Sequence, residues 1–384
     1  MNALDIAESI AERLEREIPA TGSFANGAAG YALFFLALAQ ARSTERWARA
    51  AHEALRIAAT GGKATTSGLF TGLAGLLFVT TYASRIDARY AGLREQCAKA
   101  LAASGAVNPP LHPAQRAKEY DLVGGVAGLH AALLYARCSD AARGTRAYLA
   151  WLLADEQRWS CAHEVDVERG AANDLGLAHG VAGMLSVLAA DEDADTGALE
   201  RVAEWLWNQR VPGTCWWPSA VGPFEALPAR VAWCYGNPAT ATALLRVAER
   251  THEAAIAERA RAALMAVVEA PRESWGQIDY ALCHGAAGNG LMLETAAGLL
   301  SDERIGACAT GVIDGLLQTY DEKLRYGYQN WDNLRHCWVD DASLMTGAAG
   351  IGLALVTLAG NADASWTAAF GLPPLVRMTT GTAP

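Results

Sequence analysis

The sequence predicts an all-α protein in which seven helical hairpins close into a ring. First, a glycine step recurs seven times: Gly27-Ala-Ala-Gly30, Gly72-Leu-Ala-Gly75, Gly125-Val-Ala-Gly128, Gly180-Val-Ala-Gly183, Gly236-Asn-Pro-Ala239, Gly285-Ala-Ala-Gly288 and Gly347-Ala-Ala-Gly350. Second, each step leads into an apolar run, and each interval holds a second, more charged helical stretch. A helix apolar all round is buried, and an amphipathic one covers it. Third, the first and last apolar runs are as apolar as the middle ones, whereas an open solenoid carries polar capping repeats. That favours closure, with the glycine ends around one mouth.

Taken in order, residues 3–17 form a first outer helix carrying Asp5, Glu8, Glu12, Glu15 and Glu17, which is no signal peptide. Apolar inner helices follow each glycine step, and outer helices are expected over 45–59, 88–103, 145–159, 198–207, 255–268 and 304–320. Three stretches depart from the hairpin pattern. Asn108-Pro-Pro-Leu-His-Pro113 is a loop; residues 211–228, with Cys215-Trp-Trp-Pro218, read as irregular or hairpin-like; residues 326–341 are polar and aromatic, with Tyr328, Trp331 and Trp338. Long irregular loops in a compact domain are often functional. One domain spans 1–372, and 373–384 is a tail expected to be disordered at its very end.

The composition narrows the function. The chain has 384 residues, 52% of them apolar and 19% charged, enough for a large core. A net charge of −10 argues against nucleic acid as a partner. No apolar run is long enough to span a bilayer, so the chain is read as cytoplasmic. The eight cysteines are scattered and do not form the dense framework of a small secreted domain.

The chemistry gathers just before the glycine steps. Cys283 and His284 are adjacent soft metal ligands directly before Gly285. On a turn such neighbours can converge, and the helix N-terminus favours a thiolate. Alone, the pair reads equally as a buried Cys beside a capping His. The ring changes this, because equivalent positions of different repeats face the same mouth. Ala178-His179-Gly180 and Trp233-Cys234-Tyr235-Gly236 share the register. Cys234, Cys283 and His284 supply S, S and N, a zinc-type set that leaves a fourth position open. Two thiolates weaken the metal as an acid for water and suit it to holding a substrate thiolate. Cys97, Cys138, Cys161, Cys215 and Cys308 lack the register and are read as packing residues. His336-Cys337 is a rival pair outside it. His179 is a candidate acid or base. Asp121 would orient it, or cap a helix. Arg230 is a partner for Asp121 or a surface residue, and Tyr235 a proton donor, an orienter or a packing residue.

These motifs resemble the lanthionine synthetase C family, the cyclases of lanthipeptide biosynthesis. The resemblance runs over nearly the whole chain: seven glycine steps, Trp-Cys-Tyr-Gly at 233–236, Cys-His-Gly at 283–285 and Ala-His-Gly at 178–180. It implies an α/α toroid of seven inner and seven outer helices, and one zinc ion per chain on Cys234, Cys283 and His284. It implies His179 and Asp121 as acid/base-site residues, with Arg230, Trp233 and Tyr235 lining the site and Trp233 on the substrate. The implied reaction adds a precursor-peptide cysteine thiol to dehydroalanine or dehydrobutyrine, giving a lanthionine or methyllanthionine ring. The implied partners are a dehydrated precursor with its leader, a dehydratase and an exporter, with the enzyme in the cytoplasm or peripheral to a membrane-associated complex.

Ala239 stands where the other steps have a second glycine. The short interval between the second and third repeats implies that the extension domain of the family's reference member is reduced or absent. The start at an outer helix suggests a free-standing cyclase. Other functions remain open: glutathione addition to dehydroamino acids, a non-catalytic zinc-stabilised scaffold, or another α/α toroid enzyme such as a prenyltransferase subunit or a glycosidase.

Overall fold

The computed structural model describes residues 1–61, 66–163, 166–332, 335–360 and 362–376. Among these residues, seven inner helices follow the seven glycine steps: α2 (Ala28–Arg42), α4 (Leu73–Ile86), α6 (Val126–Tyr135), α8 (Val181–Ala189), α10 (Asn237–Thr251), α12 (Ala286–Leu300) and α14 (Ala348–Ala359). Seven outer helices surround them: α1 (Ala3–Leu14), α3 (Glu45–Thr60), α5 (Ala91–Ala103), α7 (Ser139–Leu153), α9 (Thr196–Asn208), α11 (Ala254–Glu269) and α13 (Glu303–Gln318). The patterns explain the layers. In α2 every residue from Ala28 to Leu38 is buried. In α3 the buried set is Trp47, Ala50, Ala51, Ala54, Leu55 and Ala58, one stripe at helical spacing. Each inner helix packs on the next, and α14 packs on α2. The chain is an α/α toroid.

The closing hairpin joins the two ends of the chain. Helix α1 packs on α14 and supplies the seventh outer helix. The acids of this N-terminal segment tie it to α2, α3 and the chain after α13. Arg42 reaches Asp5 and Glu8, Arg46 reaches Glu12 and Glu15, and Glu17 accepts from Arg325 and Tyr326.

The second closure runs through the backbone. The residue two places before the first glycine of each step joins a belt of hydrogen bonds around one mouth. The N–H of Ala25 donates to the Phe70 carbonyl and that of Phe70 to Val123. Leu122 donates to Ala178, Leu177 to Cys234, Cys234 to Cys283, Cys283 to Met345, and Met345 back to Ala25, all at 2.9–3.1 Å. Backbone groups that a non-helical turn would leave unpaired in the core are satisfied by the neighbouring repeat. In the six steps other than the fifth, the second glycine lies under this belt. A Cβ at Gly350 would overlap the Leu344 carbonyl and stand 2.9 Å from Leu282 Cδ1. Gly350→Ala is therefore expected to lower stability by about 1–3 kcal/mol, as overpacking does; a urea melt with an unchanged midpoint would contradict it. The fifth step tolerates Ala239 because its turn differs. Gly236 has φ 87°, and Pro238 occupies the first turn of α10.

The other mouth is plugged. After α14 a 3-10 turn, Ala364–Phe370, buries Trp366 and Phe370 against the inner helices. Tyr82 donates to the Asp363 carbonyl, Ser186 to that of Gly371, and Arg246 to that of Leu372. No described helix is long and apolar enough to cross a membrane.

Some expectations shift. Helix α1 stops at Leu14, and α7 begins at Ser139 rather than 145. Gly144 lies inside α7, where a Cβ would overlap the Val107 carbonyl. Between α5 and α6 the chain forms a loop and a 3-10 turn, Ala117–Glu119, with no inserted domain. The stretch 211–228 contributes β3 (Ala220–Val221), which pairs with β2 (Asp166–Asp174), itself paired with β1 (Cys161–His163). The aromatic loop 326–341 holds a hairpin, β4 (Asn330–Asp332) and β5 (Cys337–Val339). The expected disorder of the final residues falls on 377–384, outside the described residues.

Candidate active site

The belt decides which side chains meet. Cys234 and Cys283 are consecutive members, joined by the Cys234 N–H to Cys283 carbonyl bond at 3.1 Å. Their thiols share a hydrogen bond. For Cys234 that bond is the main influence; burial opposes it and nearby Arg230 assists, leaving the thiol drawn down to about 6. Cys283, the donor, is pushed up by the same bond and by burial. The shared bond favours ionisation of one of the two thiols over both, and Arg230 Nη2 stands 4.0 Å from the Cys234 sulfur. None of the eight cysteines forms a disulfide. Cys337, in the rival pair, is exposed on β5.

One residue nearer the glycine stand His179, Tyr235 and His284. His284 Nδ1 bonds Asp279, which is 1% exposed, at 3.1 Å. That leaves Nε2 as the nitrogen for coordination, the usual way a carboxylate fixes a ligating histidine. His179 Nδ1 lies 2.7 Å from Asp121 Oδ2. Burial alone would lower the pKa of His179; the Asp121 carboxylate outweighs it and lifts the imidazole to about 9. His179 is thus a cation at neutral pH, and its side chain keeps 36% exposure. Asp121 combines both roles that the sequence suggested. Its Oδ1 accepts from the N–H groups of Gly124 and Gly125 before α6, while Oδ2 holds His179.

Three expected residues are placed differently. Arg230 is directed at the Cys234 sulfur, while Asp121 is taken by His179. Tyr235 donates its hydroxyl to Asp174 Oδ2 at 2.9 Å, and burial together with that carboxylate pushes its pKa far up. It is held as an orienter rather than a ready acid. Its ring covers Gly176, where any Cβ would meet Cδ1 and Cε1 at 2.7 Å. Trp233 is 1% exposed, donates its indole N–H to the Phe370 carbonyl and packs edge-on to Phe70 and Phe370. It anchors the plug beneath the site instead of lining its surface.

Two carboxylates were missed, Asp174 and Asp279. Both stand six residues before the first glycine of their step, as does Asp341. Each uses Oδ1 to accept from the N–H two residues on, at Gly176, Ala281 and Ser343. Each then orients a residue just before a glycine step: Tyr235, His284 and Thr346. Extending the repeat register back by six places would have found all three.

The donor chemistry fits a thiophilic divalent ion such as zinc: two neighbouring cysteine sulfurs and an imidazole whose Nδ1 is fixed by Asp279. Among the described residues, no three His, Cys, Asp or Glu side chains already stand in metal-holding geometry. Cys234, Cys283 and His284 are neighbours on consecutive turns rather than a closed ligand set. Asp279→Asn is expected to weaken zinc binding about 10–100-fold by freeing the His284 ring. Titration against a competing chelator measures this, and an unchanged affinity would remove Asp279 from the site.

The family described as lanthionine synthetase C-like protein matches residues 19–370. Among solved structures, nisin cyclase superposes with a TM-score of 0.77 at 17% identity, covering 96% of each chain. At that identity the likeness speaks to the fold alone. An α-1,6-mannanase from Salegentibacter sp. HEL1_6 follows with a TM-score of 0.45 at 12% identity, covering 93% of this chain and 99% of its own. No curated protein sequence matches.

Proposed function

The chain belongs to the lanthionine synthetase C-like family, and from that premise we propose that it is a zinc-dependent lanthipeptide cyclase. It would join precursor-peptide cysteines to dehydroalanine or dehydrobutyrine as thioether rings. The observation that carries this is one mouth of the toroid, where a Cys–Cys–His donor set meets a cationic histidine on a buried aspartate.

Cys234, Cys283 and His284 would hold the ion, which when bound supplies a Lewis acid that keeps the substrate thiol deprotonated at neutral pH. The chain's own groups account for the rest. Asp279 fixes the His284 ring. Arg230 offsets negative charge at Cys234. As the sulfur adds to the β-carbon, a C–S bond forms and the C=C π pair moves toward the α-carbon and its carbonyl. The resulting enolate needs a proton at the α-carbon. His179, charged at neutral pH, is the donor, and Asp121 keeps its Nδ1 engaged so that Nε2 carries the proton to be given. The neutral imidazole then recovers a proton equivalent to the one lost by the thiol. Tyr235, locked to Asp174, walls the space beside Cys234.

The test supplies purified protein with zinc and a dehydrated precursor peptide, and counts free thiols by alkylation and mass spectrometry. Thiols should disappear without a change of peptide mass, since the addition is an isomerisation. Persistence of alkylatable thiols would refute cyclisation; loss of thiols only when glutathione is present, with a matching mass gain, would instead mark an intermolecular thiol adduct.

A further inference from the structure

We infer that the β4–β5 hairpin forms an aromatic wall that receives the peptide segment flanking the reacting cysteine and favours apolar side chains there. The inference rests on the cyclase reading and adds its sequence preference.

Trp338 is 44% exposed and Ile278 is 48% exposed, among the few large apolar side chains open to solvent in the described residues. Both adjoin the Asp279–Tyr280 pair. Ile278 immediately precedes Asp279, the carboxylate on His284. Trp338 stacks on Tyr280, the residue after Asp279, with ring centroids 6.2 Å apart and planes at 25°. It faces Trp331 directly across the two strands, edge to face at 5.7 Å. The wall is backed by core: Tyr280 packs at 5.5 Å on Tyr328, which is fully buried and donates to the Leu316 carbonyl. It is also tied to the metal-site carboxylate, because the Trp331 N–H donates to Asp279 Oδ2 at 3.4 Å. One aspartate thus fixes both the histidine ligand and the strand that carries the wall.

A rigid, half-open aromatic surface is the usual anchor of a peptide-binding site. Indole and phenol rings bury large area with little loss of rotamer freedom. Attachment to Asp279 makes the surface continuous with the thiol site, so the residues it meets are the immediate neighbours of the cysteine held there. The occupant is an extended peptide with aliphatic or aromatic residues beside that cysteine.

The test uses two decapeptides, each with one cysteine and with alanine where the dehydroalanine would be, so that neither can react. One has leucine on both sides of the cysteine and the other has glycine. The zinc-loaded wild-type protein should bind the leucine peptide about tenfold tighter by calorimetry. Trp338→Ala should lose most of that preference, Trp338→Phe should keep part of it, and zinc content should stay the same in all three. Equal affinity of the wild type for both peptides, no binding of either, or a preference that survives in Trp338→Ala would overturn the inference. Wild type at twice the monomer mass by light scattering, with Trp338→Ala monomeric, would assign the surface to a second copy instead. A leucine preference in a protein that fails to cyclise dehydrated precursor would leave the wall standing and refute the cyclase reading.

Discussion

The wild-type protein is expected to purify with one zinc ion per chain, and Cys283→Ala to purify with essentially none. Cys283 would be one of three donors under the proposed zinc site, and a site with so small a set does not tolerate loss of a thiolate. The variant should still fold. Cys283 holds its place in the belt through its N–H to Met345 and its carbonyl from Cys234, both backbone groups that alanine retains. Its side chain is only partly buried, so truncation opens little cavity. The thermal midpoint of the metal-free variant should therefore match that of metal-free wild type, while cyclisation is abolished. Removal of one thiol also leaves Cys234 without the hydrogen bond that draws its pKa down, and its reactivity toward alkylating reagents near pH 7 should fall. Atomic absorption on the two proteins decides the matter: a zinc-free wild type defeats the metal assignment.

The second large effect is at His179. His179→Asn should keep its zinc and its fold but lose cyclisation by about 10²–10⁴-fold, the range for removal of a general acid. The pH profile gives the sign independently. Asp121 raises the pKa of His179 in the folded protein to about 9. The cationic acid is present below that value and lost above it, so the wild-type rate should decline as pH rises through about 9. The stabilising pair follows the same order: complete below the ordinary imidazole value, and lost as pH rises through about 9. In Asp121→Asn the amide oxygen can still accept from Gly124 and Gly125, so the turn survives, but the charge that raises His179 is gone. The alkaline limb should move toward ordinary imidazole values near 6.5. A limb that stays near 9 in Asp121→Asn would show that another group supplies the proton.

The repeat register makes the hairpins and the grouping of the candidate residues legible in the sequence. Seven glycine steps gave the number of hairpins, and the even apolarity of their runs gave closure. Shared position before the glycines grouped His179, Cys234, Tyr235, Cys283 and His284. The same register held Asp174 and Asp279, which were overlooked because an acid six residues from a helix start looks like an ordinary loop residue. Trp233 was misplaced for a related reason. Adjacency to Cys234 in sequence suggested adjacency at the surface, yet successive residues on a turn point different ways, and the indole turns inward to Phe370.

What the sequence by itself determined is the periodic part: which helices are buried, which are amphipathic, and which chemical groups stand at equivalent places. Burial pattern and small-residue steps are local properties, so they are written locally. The tertiary structure alone decided the pairings between distant segments. These are α1 on α14, the plug on Trp233, Arg230 on Cys234 rather than Asp121, Tyr235 on Asp174, and the pairing of two cysteines 49 positions apart. They depend on ring closure, a long-range property. Once the belt of backbone hydrogen bonds closes, each turn has one neighbour on either side, and the side chains take their partners from those neighbours.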